Sequence, residues 1–312
     1  EDKIPNTWDE VIDLVADLQA ESLQFYLPVN EEGATALNSI FVSLLYQMGG
    51  ELYINNNKET GLLLEEGMEA FETWTEFYTL YSFPSYASFI NRFRSGEMPI
   101  GIAYYETYNT LSVFAPELRG SWSYHPIPGS YRTDDNGNTY IDHTSTVAGT
   151  GAVILKEPAL RSDSQRDASW EFLKWWTSTN IQYRFGQEME GILGSAARHT
   201  TANIQALQQL AWPADDLAQL VKQWGFLDSE DHITVNGQQI ASFDVANNDG
   251  KVYPNIYGVH QMPQIAGSYI TGREVENAFR EVINNKVNAK ETLYEYANNI
   301  NNEIDRKRGE FG

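Results

Sequence analysis

The sequence predicts an α/β fold, rich in helix and divided between two lobes, and three observations carry that reading. The first is the stretch from Asn91 to Gly129, where a short amphipathic helix, an apolar strand and an aromatic tip follow one another. The second is the alternation of long amphipathic helices with short apolar runs through 312 residues, a length sufficient for two lobes. The third is the pair Pro126 and Pro128 closing into Gly129, a segment suited to a crossing between lobes.

Taken in order, Thr7 is an N-cap with Glu10 three residues later, and Trp8, Val11, Ile12, Val15 and Leu18 repeat at helical spacing. Leu23 to Val29 is a short strand stopped by Pro28. Ala34 to Met48, with Ile40, Phe41, Leu44 and Leu45, is expected as a core helix ending at Gly49-Gly50. Leu52-Tyr53-Ile54 is a strand edge running into three asparagines. Leu62 to Tyr81 is a long helix that turns Met68, Phe71, Trp74, Phe77 and Tyr78 inward. The helix carrying Phe89 and Phe93 stops at Gly96, and Pro99 forbids helix after it, so Met98 to Ala103 reads as a buried strand. Tyr104, Tyr105, Tyr108 and Asn109 follow, where an open α/β sheet places ligands outside the carboxyl ends of its strands. Trp122 to Ile127 reads as a second strand.

Beyond Gly129, Asp134-Asp135-Asn136-Gly137-Asn138 has the oxygen supply of a calcium loop but no bidentate Glu at its twelfth position. Asn-Gly makes it a hairpin instead. Val147 to Leu155 is a strand, and Asp167 to Thr177 a helix in which Trp170, Leu173, Lys174 and Trp176 are spaced to pack. Tyr183 to Met189, Thr200 to Leu210 and Asp215 to Trp224 are helical. Asn236-Gly237 and Asn248-Asp249-Gly250 suggest hairpins, 254–270 is irregular, and Thr271 to Asn285 and Ala289 to Lys307 close the chain.

Composition excludes more than it selects. A formal charge of −22 argues against nucleic acid or an anionic membrane, since both require clustered Lys and Arg. Zero cysteines exclude disulfides, thiol catalysis and zinc-thiolate sites. No run of about 18 apolar residues occurs, so no segment is expected to insert into a membrane. His125, His143, His199, His232 and His260 are scattered without metal-ligand spacing, no Gly-x-Ser-x-Gly or phosphate loop is present, and neither a metal nor a cofactor is expected. Glu188 and Glu190, beside Arg198, are the carboxylate pair to watch, and a structural ion pair is the simpler account of them.

Aromatic supply is the positive signal, at 13 % Phe, Trp and Tyr. Aromatic faces match the C–H faces of sugars while rim hydroxyls and amides satisfy sugar hydroxyls. Trp74, Trp170, Trp175 and Phe71 lie on helix faces and are expected in the core. For Tyr104, Tyr105, Tyr108 with Asn109, and for Tyr269, core and ligand-facing rim both stay open.

The strand and aromatic tip, the return through Pro-Glu-Leu-Arg-Gly-Ser-Trp into Pro-Ile-Pro-Gly, Pro5-Asn6-Thr7-Trp8-Asp9-Glu10, Trp170 to Ser178, Gly194 to Arg198, Thr201-Ala202-Asn203 and Glu303 to Arg308 occur in an order that resembles one family. It is the extracellular solute-binding proteins of sugar ABC transporters, the maltose-binding-protein-like family 1, in a Gram-positive branch. The resemblance implies a periplasmic-binding-protein-like type II fold in which the family's first-lobe opening strands are absent. Residues 1–121 and 179–312 then form a nearly complete second lobe, and 122–178 a remnant of the first with the hinge crossing. It further implies an oligosaccharide or monosaccharide ligand, a transporter permease as partner, a cell-surface lipoprotein setting with the anchor outside this segment, and no catalysis. By the same resemblance Tyr104, Tyr105, Tyr108, Asn109 and Tyr269 match positions that line the sugar site. Half a cleft should bind weakly, with a dissociation constant no tighter than about millimolar. A glycoside hydrolase or lyase, and a surface adhesion or scaffold module, are the alternatives.

Overall fold

The computed structural model describes residues 4–27, 40–104, 106–118, 120–123, 125–147, 151–154, 162–194, 197–199, 201–210, 232–235, 238–241, 255–256 and 258–311. The expected helix at 215–224 and hairpin at 248–250 lie outside them, as does Tyr105.

Helix α1 (Trp8–Ala20) starts where Thr7 accepts from the Glu10 amide, while the Glu10 carboxylate reaches back to the Asn6 amide at 2.7 Å. Its buried face is Trp8, Val11 and Val15. Strand β1 (Phe25–Tyr26) pairs in parallel with β4 (Ile100–Gly101). Helix α2 (Ile40–Gln47) is buried at every position but Tyr46. Strands β2 (Tyr53–Ile54) and β3 (Glu59–Thr60) form an antiparallel pair. The three asparagines between them sit at φ of 55°, 59° and 61°, a left-handed run that asparagine tolerates better than most residues. A 3-10 turn (Gly61–Leu63) leads into α3 (Glu65–Thr79), which turns Phe71, Trp74, Phe77 and Tyr78 inward as its spacing predicts.

Helix α4 (Phe89–Ser95) ends at Gly96, whose φ of 82° is the left-handed cap that made glycine the stop signal. The apolar run after Pro99 yields only the two-residue β4, although Met98 is fully buried. Beyond it the aromatic tip carries helix α5 (Glu106–Phe114), which was not expected. No strand forms over 122–127 among the described residues. Pro126 and Pro128 lack the amide protons a ladder needs, and Gly129 instead makes a single parallel bridge with Thr7.

Strands β5 (Ser130–Thr133) and β6 (Thr139–Asp142) are the predicted hairpin. Asp134 Oδ1 accepts from the amides of Asn136 and Asn138 at 2.9 and 2.8 Å, so the oxygen-rich turn is spent on its own backbone. Strand β7 (Ser145–Val147) ends where the expected strand of Val147 to Leu155 begins; 151–154 is not strand, and 148–150 and 155 lie outside the described residues. Helix α6 (Asp163–Trp176) is capped by Ser162, and α7 (Thr179–Leu193) runs to the Gly194 cap, through Gly191. Helix α8 (Ile204–Gln209) is capped by Asn203. Strands β8 (His232–Val235) and β9 (Gln238–Ala241) pair antiparallel with Val235 opposite Gln238, and Asn236-Gly237 between them lie outside the described residues. The stretch read as irregular holds two strands, β10 (Asn255–Ile256) and β11 (Val259–Gln261). Their partners are β6 and β7, in parallel, and such long-range pairing leaves no local periodicity to read. Helices α9 (Ser268–Asn285) and α10 (Ala289–Phe311) complete the chain.

One large core joins the two ends of the sequence. Residues of α1, α2 and α3 pack with Ile270, Val275, Phe279, Leu293 and Ile300 of α9 and α10. Trp74 lies at its centre, stacked on Phe279 at 4.1 Å and on Phe41 at 5.3 Å. A second, small cluster of Tyr26, Ala87, Phe89 and Met98 covers β1 and β4.

Helix α6 departs from expectation. None of its 14 residues is buried, and Trp170 and Trp175 are 55 % and 52 % exposed. Both were expected in the core, yet among the described residues neither is buried.

Candidate functional site

The sequence-predicted site residues divide into two groups. Tyr104 is exposed at the point where the chain leaves β4, and Tyr269 is 60 % exposed in the first turn of α9. Both are therefore open to solvent. Tyr108 and Asn109 do not: they are 2 % and 7 % exposed. The chain turns into α5 immediately after β4, and this carries Tyr108 against the edge of Trp122, with ring centroids 5.6 Å apart. The Asn109 amide donates to the main-chain carbonyl of Arg198 at 3.3 Å. The structure thus brings Tyr108 and Asn109 together on the buried side of α5, and holds Tyr269 on a separate element.

Arg198 in turn is 8 % exposed and grips Glu190, donating Nη2 to Oε1 at 2.6 Å and Nε to Oε2 at 3.2 Å. That is the structural ion pair the sequence suggested, with Glu188 exposed beside it. Two-pronged pairing with a buried guanidinium occupies both Glu190 oxygens.

Sequence reasoning missed the junction at the end of α2. Gln47 is wholly buried and uses every side-chain hydrogen-bonding group. Its carbonyl accepts from Trp8 Nε1 at 2.8 Å and from Ser130 Oγ at 3.1 Å. Its amide donates to the carbonyls of Pro128 and Thr144, both at 3.1 Å. One side chain therefore ties α1 and α2 to the chain at Pro128 and at Thr144. Next to it His143 spans the Ile127 carbonyl at 2.8 Å and the Asn255 side-chain oxygen at 3.0 Å, and burial pushes its pKa below the ordinary histidine value. No sequence signal could have singled out Gln47, because its four partners lie 39 to 97 residues away.

A cavity of about 230 Å³ opens beside this junction, lined by Tyr46, Glu51, Arg132, Asp142, Thr144 and His260 among others. Arg132 lies just past the carboxyl end of α2, where a cation is favoured, and pairs with the buried Asp142 at 3.2 Å. Its guanidinium packs so closely on Gly49 that an added Cβ there would sit 2.6 Å from Nη2. Burial, with Glu51 nearby, pushes the Tyr46 phenol up to about 12. The cavity is smaller than the ~300–1,000 Å³ pockets that enclose drug-sized ligands. None of the predicted aromatics lines it. Among the described residues no group of three His, Cys, Asp or Glu could hold a metal ion, and no helix is long and apolar enough to cross a membrane.

No family model and no curated protein matches the chain. Solved structures do. MalE, the sugar-binding protein of Xanthomonas citri, is 16 % identical with a TM-score of 0.61, over 99 % of this chain and 66 % of that one. A solute-binding protein of an ABC transporter from Thermotoga lettingae, bound with α-D-tagatose, is 17 % identical with a TM-score of 0.58, over 96 % and 65 %. The cyclic α-maltosyl-1,6-maltose binding protein of Arthrobacter globiformis is 15 % identical with a TM-score of 0.55, over 97 % and 65 %. The chain spans about two thirds of the length of these neighbours. Across that span it has the maltose-binding-protein-like fold, the fold of the sugar-binding proteins of ABC transporters.

Proposed function

We propose that this protein binds carbohydrate as the extracellular substrate-binding component of an ABC importer. The likeness of almost the whole chain to sugar-binding proteins carries the reading. Tyr104 and Tyr269 are the stacking faces on the rim, with Tyr105 beside Tyr104, and Tyr108 and Asn109 support α5 from behind. Residues 1–121 and 179–312 belong to one lobe, and 122–178 to the remnant of the other with the crossing. The core shared by α1–α3 with α9 and α10 supports joining the two ends. That no residue of α6 is buried among the described residues supports setting 122–178 apart from the shared core. A permease is the membrane partner, and the protein works at the surface of a Gram-positive cell, held there by a lipid anchor.

The span of two thirds of its neighbours' length makes weak binding the expectation, with a dissociation constant no tighter than about 1 mM, since one wall cannot desolvate a sugar. A thermal-shift screen against maltose, maltotriose, tagatose and a wider sugar panel tests the reading. Stabilisation by a sugar supports it. Indifference to every sugar at tens of millimolar sinks it. The hydrolase alternative gains nothing from Glu190, whose oxygens are taken by Arg198.

A further inference from the structure

An exposed tyrosine normally rotates freely, and a ligand that stacks on it must first stop it. Tyr269 is exposed over 60 % of its surface, yet its hydroxyl donates to Glu303 Oε1 on α10. Glu303 is itself fixed. Arg306, one turn further along α10, donates Nη2 to Glu303 Oε1 at 2.6 Å and Nε to Oε2 at 2.8 Å. Arg306 also reaches Glu310, and Lys307 holds the other Glu310 oxygen at 2.7 Å. The backbone closes the arrangement from the other side. Gly267, at φ 93°, caps α9 while lying against α10, where an added Cβ would come within 3.5 Å of Lys307 Cγ. The first turn of α9 is thus held to the last turns of α10 through one phenol and one turn of backbone.

We infer that Glu303 is a positioning residue that holds the Tyr269 ring as a preformed stacking platform for the apolar face of a sugar. The inference rests on the carbohydrate reading above and adds to it a residue that would touch no ligand atom. Glu303 is well suited to the part. Its side chain is 15 % exposed, and Arg306 is paired to it in a fork, so the carboxylate stays in one rotamer while the ring faces stay open. The paired Arg306, and then the Tyr269 hydroxyl, hold its carboxyl down to about 2, so the acceptor is fully ionised at neutral pH. Immobilising a free side chain on binding costs about 0.5–1.5 kcal/mol, which corresponds to roughly a two- to ten-fold change in affinity.

The test uses the chain labelled with 3-fluorotyrosine and titrated with maltose, maltotriose or tagatose, whichever binds. The ¹⁹F resonance absent from Tyr269→Phe belongs to Tyr269. Glu303→Ala is expected to shift and narrow that line and to weaken sugar binding about two- to ten-fold. Glu303→Gln, which keeps an acceptor for the phenol, is expected to restore most of both. An unmoved Tyr269 line in Glu303→Ala overturns the inference, as does a moved line with unchanged affinity. If neither these three sugars nor the wider panel perturbs the wild-type chain, the carbohydrate reading fails and the platform role with it, while the ¹⁹F line still reports whether Glu303 holds the ring.

Discussion

The indole Nε1–H of Trp8 donates to the side-chain carbonyl of Gln47 across 2.8 Å, joining the first turn of α1 to the last turn of α2 inside the core. The same glutamine amide holds the carbonyls of Pro128 and Thr144. The segments around Pro128 and Thr144 are therefore tied to α1 and α2 through one side chain.

Replacing this glutamine should be costly. Gln47→Leu strips the Trp8 donor and two buried carbonyls of their partner, and each buried group so left costs about 1–3 kcal/mol, so we expect a loss of about 3 kcal/mol. Gln47→Glu should be no better, because a carboxylate has no proton for either carbonyl. Urea denaturation of both variants checks this. A loss below about 1 kcal/mol would show that the junction relaxes around the change.

His143 should make stability depend on pH. Its folded pKa lies below the ordinary value because burial outweighs the raising effects of Ile127, Asn255 and Asp142. The unfolded chain then binds the proton more readily, so this contribution is present above the unfolded pKa near 6.5 and is lost as pH falls through it toward the folded value. Melting temperatures from pH 7.5 to 5 should fall in the wild type and less steeply in His143→Gln. Some slope should remain in the variant, since burial lowers the pKa of His199 as well. Parallel slopes would remove His143 as a source.

Two sets of tryptophans should behave oppositely. Trp74→Ala opens a cavity between Phe41 and Phe279 and should cost about 3–5 kcal/mol. Trp170→Ser and Trp175→Ser on α6 should each change stability by no more than about 0.5 kcal/mol and should lower the binding of a hydrophobic dye. A large loss from either α6 variant would mean that its face is covered in solution.

Tyr269→Ala and Tyr104→Ala should each weaken binding of a responding sugar by about three- to ten-fold, the worth of one aromatic contact. Calorimetry or ligand-observed NMR would measure it, and an unchanged affinity in both would move the site off this rim.

Much of the fold was legible because its signals are local. Thr7, Gly96 and the Asp134–Asn138 turn act through partners within four residues, and the inward face of α3 repeats at the helical period. The ion pair between Glu190 and Arg198 spans eight residues and was also within reach. Burial was harder to read. Trp74 and Trp175 both lie on amphipathic helices, but Trp74 packs between Phe41 and Phe279 in the core while Trp175 stays half exposed beside Phe172 and Trp176. A sequence shows that a face is apolar, not that anything lies opposite.

By itself the sequence determined most of the described helices, several of their caps, the turn at 134–138 and the aromatic supply, because propensity, capping and turn chemistry act over a few residues. Only the tertiary structure decided that α5 turns Tyr108 and Asn109 inward while Tyr104 and Tyr269 face out, and that β10 and β11 join β6 and β7. It also placed Gln47 and Glu303 beside partners tens of residues away. Their roles depend on where distant segments converge, and convergence is settled by the packing of the whole chain.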